Sequence, residues 1–135
     1  MATVKVLHNG TRKYAINVTG DYTSDGAADL TNEIIINRSS LVGPDGVNIP
    51  GRIRIDEITW DNSAGYDYVQ LSWDDSTDEV IENYYGSGYM DYRPYGGKSM
   101  TGDPTTATEG DVLMSTSGGA AGDSYSLLIH CTLKN

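Results

Sequence analysis

The last segment of the chain constrains the fold most, because apolar and polar residues alternate over ten consecutive positions. The side chains that would share one face are Tyr125, Leu127, Ile129, Cys131 and Leu133. The side chains between them are Ser124, Ser126, Leu128, His130 and Thr132. A repeat of two places alternate residues on opposite faces of an extended chain, whereas a helix repeats about every 3.6 residues. The sequence therefore predicts a final β-strand with one buried face.

The same repeat recurs along the chain and predicts an all-β fold. Strand-like segments cover residues 3–7, 11–19, 33–37, 52–60, 67–73, 79–84, 88–93, 111–116 and 124–133. Glycine and β-branched residues interrupt every candidate helix, so no amphipathic helix is expected. A chain of 135 residues has the size of one domain. We therefore predict a single antiparallel β-sandwich domain over residues 1–135, jelly-roll-like with about eight strands, and an immunoglobulin-like sandwich is the alternative.

Three local patterns make sharper predictions about the strands. The dipeptide Asn9-Gly10 is preferred in type I′ turns, because both residues tolerate a positive φ, and it predicts a tight hairpin. The run Glu33–Asn37 is apolar on both faces, which is typical of a central strand covered on two sides. The alternation slips at Asp56-Glu57, and this slip indicates a β-bulge.

Charge is unevenly distributed along the chain, whose net charge is −10. Residues 1–55 hold six Lys and Arg against five acids, while residues 56–135 hold three against fourteen. An acidic chain is repelled by nucleic acid and by anionic membranes, so neither is an expected partner. The N-terminal part is the better candidate for contact with an acidic neighbour, and we expect Lys5, Arg12 and Lys13 to make that contact.

Few residues suggest a reaction. The single cysteine, Cys131, excludes an intrachain disulfide, and no Cys/His spacing resembles a zinc site. The chain has no nucleophile elbow, phosphate-binding loop or dinucleotide fingerprint. We therefore predict no catalytic residue, no cofactor and no metal. The acidic run Asp74–Glu79 could offer oxygen ligands to Ca²⁺, but a solvated turn is the favoured interpretation. The N-terminal residues do not resemble a secretory leader, which predicts synthesis in the cytoplasm.

The aromatic composition is unusual, with ten tyrosines and no phenylalanine. Seven of the tyrosines lie between residues 66 and 95. Tyrosine suits half-buried sheet faces, but it is also enriched at interface cores. The segment 86–97 adds methionine and arginine to its tyrosines, a combination favoured at binding interfaces. The candidate interface residues of this segment are Tyr89, Met90, Tyr92, Arg93 and Tyr95. A hairpin whose tyrosines cover the end of the sandwich is the alternative.

Four stretches together carry a family resemblance. They are Gly88-Tyr89-Met90-Asp91-Tyr92-Arg93-Pro94-Tyr95-Gly96-Gly97, Thr101-Gly102-Asp103, Gly110-Asp111-Val112-Leu113-Met114-Ser115-Thr116 and Gly122-Asp123-Ser124-Tyr125. With them, the chain resembles small virion structural proteins of tailed bacteriophages. The resemblance implies a β-sandwich that assembles, often as a homotrimer, on a capsid, neck or tail. It implies a non-enzymatic capsid decoration (cement) protein that stabilises the head through contacts with the major capsid protein or other virion proteins. Such a protein assembles in the host bacterial cytoplasm and resides in the virion.

Two other functions remain open at this point. A receptor- or carbohydrate-binding β-sandwich at a tail or neck would stack sugar rings on Trp60, Trp73, Tyr89 and Tyr92. A small hydrolase would use a pair of the many carboxylates, and it requires a deep pocket in which two of them converge.

Overall fold

The computed structural model describes residues 1–63 and 65–135, and it confirms the all-β prediction. These residues form nine strands: β1 (Thr3–Asn9), β2 (Lys13–Asp21), β3 (Glu33–Ile36), β4 (Arg52–Asn62), β5 (Tyr68–Trp73), β6 (Glu79–Tyr84), β7 (Ser87–Asp91), β8 (Val112–Ser117) and β9 (Ser124–Lys134). Two short 3₁₀ turns cover Arg38–Ser40 and Arg93–Tyr95. Within the described ranges, no helix has the length and apolar character needed to cross a membrane.

All strand pairs are antiparallel, and they form two sheets. The strand order is β1-β2-β9-β4-β7 in the five-stranded sheet and β3-β8-β5-β6 in the four-stranded sheet. Four of the pairs are nested in the sequence: β2 with β9, β3 with β8, β4 with β7, and β5 with β6. This nesting is the connectivity of a jelly roll and differs from that of an immunoglobulin-like sandwich. β1 adds a fifth strand at one edge.

The core lies between the two sheets and is built from the inward positions of each strand. The side chains on the predicted buried face of β9 are each exposed by 2 % or less. They are Tyr125, Leu127, Ile129, Cys131 and Leu133. On β5, the inward residues Val69, Leu71 and Trp73 are buried to the same extent. Burial of a large aliphatic side chain contributes about 1.5–3 kcal/mol, so these central strands supply much of the driving force for folding.

The first hairpin differs from the predicted type I′ turn. Asn9 is the last residue of β1 and pairs with Tyr14, and neither Asn9 nor Gly10 has a positive φ. The chain turns over the next residues and is closed by a 2.9 Å hydrogen bond from the Gly10 amide to the Lys13 carbonyl. The register of the two strands accounts for the difference, because Thr3 already pairs with Thr19, which places the turn beyond Asn9. A bulge at Leu7 then shifts the pairing by one further residue.

The run predicted as a central strand, Glu33–Asn37, is in fact an edge strand. β3 pairs only with β8, and its Ile34 side chain is 49 % exposed. The pairing shifts between Ile34 and Ile36, and this irregularity allows both Ile35 and Ile36 to be buried. The bulge therefore explains why neighbouring apolar residues of this run are buried, and no covering layer on each side of the strand is needed.

The β-bulge predicted in β4 is confirmed, since the register with β9 shifts at Asp56. The bulge leaves the Asp56 carboxylate within reach of neighbours on the outer face, where it accepts hydrogen bonds from Arg54 (2.7 Å) and Thr132. β4 continues through Asn62, two residues beyond the strand-like segment 52–60. The residues at positions 61–65, rich in Asp, Asn, Ser and Gly, are typical of a turn, and position 64 of that turn lies outside the described residues.

Candidate functional site

The first strand forms an open edge of the five-stranded sheet, and we call β1 the N-terminal edge. Every residue of β1 is exposed. Val4 and Val6 stand opposite the core residues Val18 and Ile16, so their side chains lie on the core side of the sheet. They are nevertheless 36 % and 47 % exposed, because the four-stranded sheet has one strand fewer and does not extend over β1. With Leu7, which is 49 % exposed, the edge presents three aliphatic side chains.

The three basic residues expected to contact an acidic neighbour lie in this hairpin. Lys5 alternates with the valines and projects from the outer face of β1, while Arg12 is exposed in the turn before β2. Lys13 is partly engaged, with its Nζ 2.8 Å from Thr132 Oγ1 and 3.5 Å from an oxygen of Asp56. The hairpin therefore concentrates positive charge beside the N-terminal edge. Of its three basic residues, Lys13 is paired with the Asp56 carboxylate.

At the opposite edge of the same sheet, β7 carries part of the predicted interface segment. Tyr89 is 56 % exposed, and its hydroxyl donates a 2.6 Å hydrogen bond to Glu57. Arg93 lies 2.9 Å from Glu57 and 2.9 Å from Asp91. Met90 is 37 % exposed. These three predicted interface residues are accessible, but the polar groups of two of them are already paired within the chain.

Tyr92 is a correction to the predicted interface, because it lies in the core. It is only 4 % exposed, and its hydroxyl lies 3.0 Å from the Tyr84 hydroxyl and donates to Glu82. Burial and the hydrogen bond to Glu82 raise the pKa of Tyr92 above its usual value. The chain turns inward here as it enters the 3₁₀ turn after β7. Tyr92 therefore anchors the segment and is not an exposed contact residue.

The other aromatic residues divide between core and surface. Five of the ten tyrosines are buried: Tyr14, Tyr66, Tyr84, Tyr92 and Tyr125. Three are more than half exposed: Tyr85, Tyr89 and Tyr95. Trp73 is 1 % exposed, and Trp60 is partly buried with its indole N–H donating to the Tyr85 carbonyl at 2.9 Å. The expected role in stacking on sugars is therefore wrong for Trp73 and Tyr92.

A cavity of about 290 Å³ lies between the edge strands β6 and β7, and we call it the edge pocket. It is lined by Glu82, Met90, Tyr92, Tyr95, Gly97 and Lys98. Tyr95 is 81 % exposed and stands at its rim. The structure thus brings three of the predicted interface residues of segment 86–97 together around one cavity, with Tyr95 as a wall and Met90 and Tyr92 at the base.

A second cavity, of about 430 Å³, lies on the outer face of the five-stranded sheet, and we call it the outer hollow. His8 and His130 stand on either side of Ala15 in neighbouring strands, and the small Ala15 side chain leaves space between the two rings. Glu57 follows His130 in the same cross-strand row. The hollow therefore gathers both histidines of the chain on one exposed face.

The buried carboxylate of the outer hollow is held in ion pairs. Asp56 is 3 % exposed and pairs with Arg54 at 2.7 Å and with Lys13 at 3.5 Å. Burial acts to raise the pKa of Asp56, but hydrogen bonds from Thr132 and Arg54 outweigh it and hold the pKa below its usual value. A glycoside hydrolase needs one carboxyl whose pKa is raised so that it can act as an acid. Asp56 does not have this property, so it lends no support to the hydrolase alternative.

Sequence reasoning missed a buried arginine that holds the long loop before β8. Arg38 is 5 % exposed, and its guanidinium donates at 2.8 Å to the carbonyl oxygens of Pro50, Thr106 and Glu109. Its backbone amide donates to Asp111 at 2.7 Å, and burial raises the pKa of the Asp111 carboxyl. Backbone carbonyls are the partners of this guanidinium, so no pattern of residue types could have identified them.

The acidic run is hydrogen-bonded within itself, and the cysteine is buried. No group of three or more His, Cys, Asp and Glu in residues 1–63 and 65–135 is arranged to hold a metal ion. In the run Asp74–Glu79, the Asp75 amide donates to Asp78 at 3.2 Å, as in a locally bonded turn. Cys131 is buried in the core, and burial raises the pKa of its thiol, so it is protonated and unreactive at neutral pH.

Comparison with known proteins does not assign the chain to a family. No protein-family model matches the chain, and no curated protein matches its sequence. The class of the protein is therefore defined by its fold, which is a jelly-roll β-sandwich with an open edge on one side and a pocket at the other.

Proposed function

We propose that this protein is a non-enzymatic virion structural protein of the capsid decoration kind, and that it binds its partner through the N-terminal edge. The observation that carries the proposal is the exposure of β1, in which all seven residues are exposed and three are aliphatic. Jelly rolls occur in viral capsid proteins, which agrees with the proposal, although a fold alone does not define a function.

An open apolar edge of this kind is uncommon in proteins that act alone. Natural sheets protect their edges with charges, bulges, prolines or a covering segment. Lys5 and the bulge at Leu7 give β1 partial protection, while residues 3–6 pair regularly with β2 and leave their other side open. A partner that adds a strand there would bond to the backbone and cover Val4 and Val6. The edge is therefore suited to specific docking.

The charge beside the edge favours an acidic partner. Lys5 and Arg12 are exposed there, whereas most of the acidic residues lie in the rest of the chain. The proposed partners are the major capsid protein and other virion proteins. A contact of standard size buries about 800 Å² per partner, and repetition by trimer symmetry would strengthen weak contacts through avidity. The acidic surface would then face solvent and keep particles apart.

Expanded shells assembled from the major capsid protein encoded in the same genome provide the test. The purified protein is mixed with the shells, and its cosedimentation is measured. We expect the wild type to sediment with the shells and a Val4→Asp/Val6→Asp variant to remain in solution, because burying unpaired carboxylates is costly. Val47→Asp is the matched control, since Val47 is 79 % exposed in the loop before β4 and should tolerate the change.

Two results would overturn the proposal. One is a wild type that stays monomeric by light scattering and does not bind the shells. The other is a Val4→Asp/Val6→Asp variant that binds them as well as the Val47→Asp control does.

A receptor- or carbohydrate-binding role at the tail or neck is the second candidate function. The observation that favours it is the edge pocket, which places the exposed Tyr95 ring beside charged groups. Neither function depends on the other, because the two surfaces lie at opposite edges of the five-stranded sheet.

A further inference from the structure

We propose that the edge pocket binds one neutral sugar ring, as found at the end of a surface glycan. The inference rests on the second candidate function, for which it names the ligand class, and it concerns a different surface from the docking edge. β1 and β7 are the two edges of the five-stranded sheet, so a protein held at β1 leaves the pocket beside β7 facing away from that contact. The proposal stands on the lining of the pocket, its charges and its size.

An exposed aromatic ring, carried on a hydrogen-bonded backbone turn, forms one wall of the pocket. Tyr95 is 81 % exposed, and the amides of Tyr95 and Gly97 donate to the Tyr92 carbonyl at 2.9 and 2.8 Å. Gly96 and Gly97 both have a positive φ, which a glycine adopts without strain, and this closes the tight turn. Because the turn is already ordered, stacking on the Tyr95 ring requires little further ordering of the backbone.

The base of the pocket is apolar. Met90 is paired with the core residue Ile58, so its side chain lies on the core side of β7, facing β6. The Tyr92 ring is buried beside it, with its hydroxyl held by Glu82 and Tyr84. A ligand with one apolar face can therefore lie against the partly exposed Met90 side chain while its polar edge reaches the rim.

Two groups of opposite charge supply the polar contacts. Lys98 Nζ lies 5.6 Å from the centre of the Tyr92 ring, and the Lys98 backbone is fixed by hydrogen bonds of 2.8 and 2.9 Å with Ile55. The Glu82 carboxylate accepts from the Tyr92 hydroxyl and retains further acceptor positions for a ligand. The two charges cancel, so the pocket suits hydroxyl groups, which both donate and accept, better than a ligand with net charge.

The size of the pocket limits the ligand to a single ring. Its volume of about 290 Å³ lies just below the range for small-molecule sites, which begins at about 300 Å³. Such sites are usually lined by aromatic and apolar side chains together with a few convergent polar groups. Sugar rings combine an apolar face with a hydroxyl-bearing edge, and the pocket offers a partner for each.

Saturation-transfer NMR, which detects the bound sugar, and ¹H–¹⁵N correlation spectra, which detect the protein amides, test the proposal on the intact protein. The probes are the methyl glycosides of glucose, galactose, mannose and N-acetylglucosamine, with sialic acid as the anionic comparison. We expect at least one neutral sugar to bind and to shift the amide signals of Gly97 and Lys98. Tyr95→Ala should weaken this binding by about tenfold, the size expected when an aromatic stacking partner is removed.

Tyr85→Ala is the matched control, because Tyr85 is also exposed, at 62 %, but lies outside the pocket. Thermal unfolding of both variants confirms that they remain folded. Glu82→Gln should shift the preference from neutral sugars toward sialic acid, because it leaves Lys98 without its opposing charge. The proposal is overturned if no neutral sugar binds at tens of millimolar, if sialic acid binds the wild type more tightly, or if Tyr85→Ala and Tyr95→Ala have equal effects.

Discussion

The first and last strands share a sequence pattern but have opposite environments. β1 and β9 both alternate apolar and polar residues, and they lie in the same sheet with β2 between them. All residues of β1 are exposed, while the five inward residues of β9 are almost completely buried. The comparison shows that alternation determines which side chains share a face and does not determine whether that face is covered.

The reason is the position of each strand in the sandwich. β9 has a neighbour on each side, β2 and β4, and its inward face meets the four-stranded sheet. β1 has one neighbour, and its core-side valines extend past the smaller sheet. The apolar residues of β9 therefore stabilise the monomer, whereas those of β1 remain available for a partner.

Truncation of one aliphatic residue in each strand should give the largest contrast. Ile129→Ala in β9 should reduce the free energy of unfolding by about 2–5 kcal/mol, because a fully buried side chain leaves a cavity. Val6→Ala in β1 should change it by no more than about 0.5 kcal/mol, because Val6 is half exposed. Guanidinium unfolding at concentrations where the protein is monomeric measures both values. Equal losses would show that β1 is covered in the monomer.

The Asp56 carboxylate links the end of the N-terminal hairpin to β9, and its removal should have the next largest effect. Asp56 contacts Lys13 on β2 and Thr132 on β9, so Asp56→Asn should cost about 1–3 kcal/mol at pH 7. The pKa of Asp56 is lowered in the folded protein, so its ionised form favours folding above the unfolded pKa of about 4. That contribution disappears as the pH falls through the lower, folded-state pKa.

The difference in unfolding free energy between wild type and Asp56→Asn should therefore shrink as the pH is lowered from 7 to about 2. Urea unfolding at a series of pH values provides the measurement. A difference that stays constant over this range would mean that the charge of Asp56 does not hold the hairpin to β9.

Buried and exposed tyrosines should also differ in how much they contribute to stability, although the difference should be smaller. Tyr84→Phe removes the buried hydrogen bond to Tyr92, so it should cost about 0.5–1.5 kcal/mol. Tyr95→Phe changes a ring that is 81 % exposed and should leave stability unchanged. Thermal unfolding compares the two variants. A loss of stability for Tyr95→Phe equal to that for Tyr84→Phe would indicate that the edge pocket is closed in solution.

The smallest expected effect on stability is that of a polar substitution in β1. Val4→Thr and Val6→Thr together keep the β-branched shape, so the free energy of unfolding should change by no more than about 0.5 kcal/mol. The same pair should weaken binding to shells several-fold, because both side chains would be buried by the proposed partner. Urea unfolding and cosedimentation on one preparation give the two values. Unchanged binding would remove β1 from the proposed contact.

The candidate surfaces were only partly predictable from the sequence. The hairpin with Lys5 and Arg12 and the segment containing Met90 and Tyr95 both stand on accessible surface, as their composition indicated. Tyr92 could not be distinguished from Tyr89 or Tyr95, because all three lie in one short aromatic segment. Only the inward turn after β7 buries Tyr92 and makes it the base of a pocket.

The period-two alternation by itself determined that the chain folds into strands, which residues share a face in regular strands such as β5 and β9, and where β4 bulges at Asp56. These properties depend on the backbone geometry of neighbouring residues, and that geometry is local. The tertiary structure alone decided that Glu33–Ile36 is an edge strand, that the first hairpin closes beyond Asn9, and that β1 has no covering layer. Strand order and cover depend on pairing between distant segments, such as β2 with β9, and no local pattern encodes the number of strands in the opposite sheet.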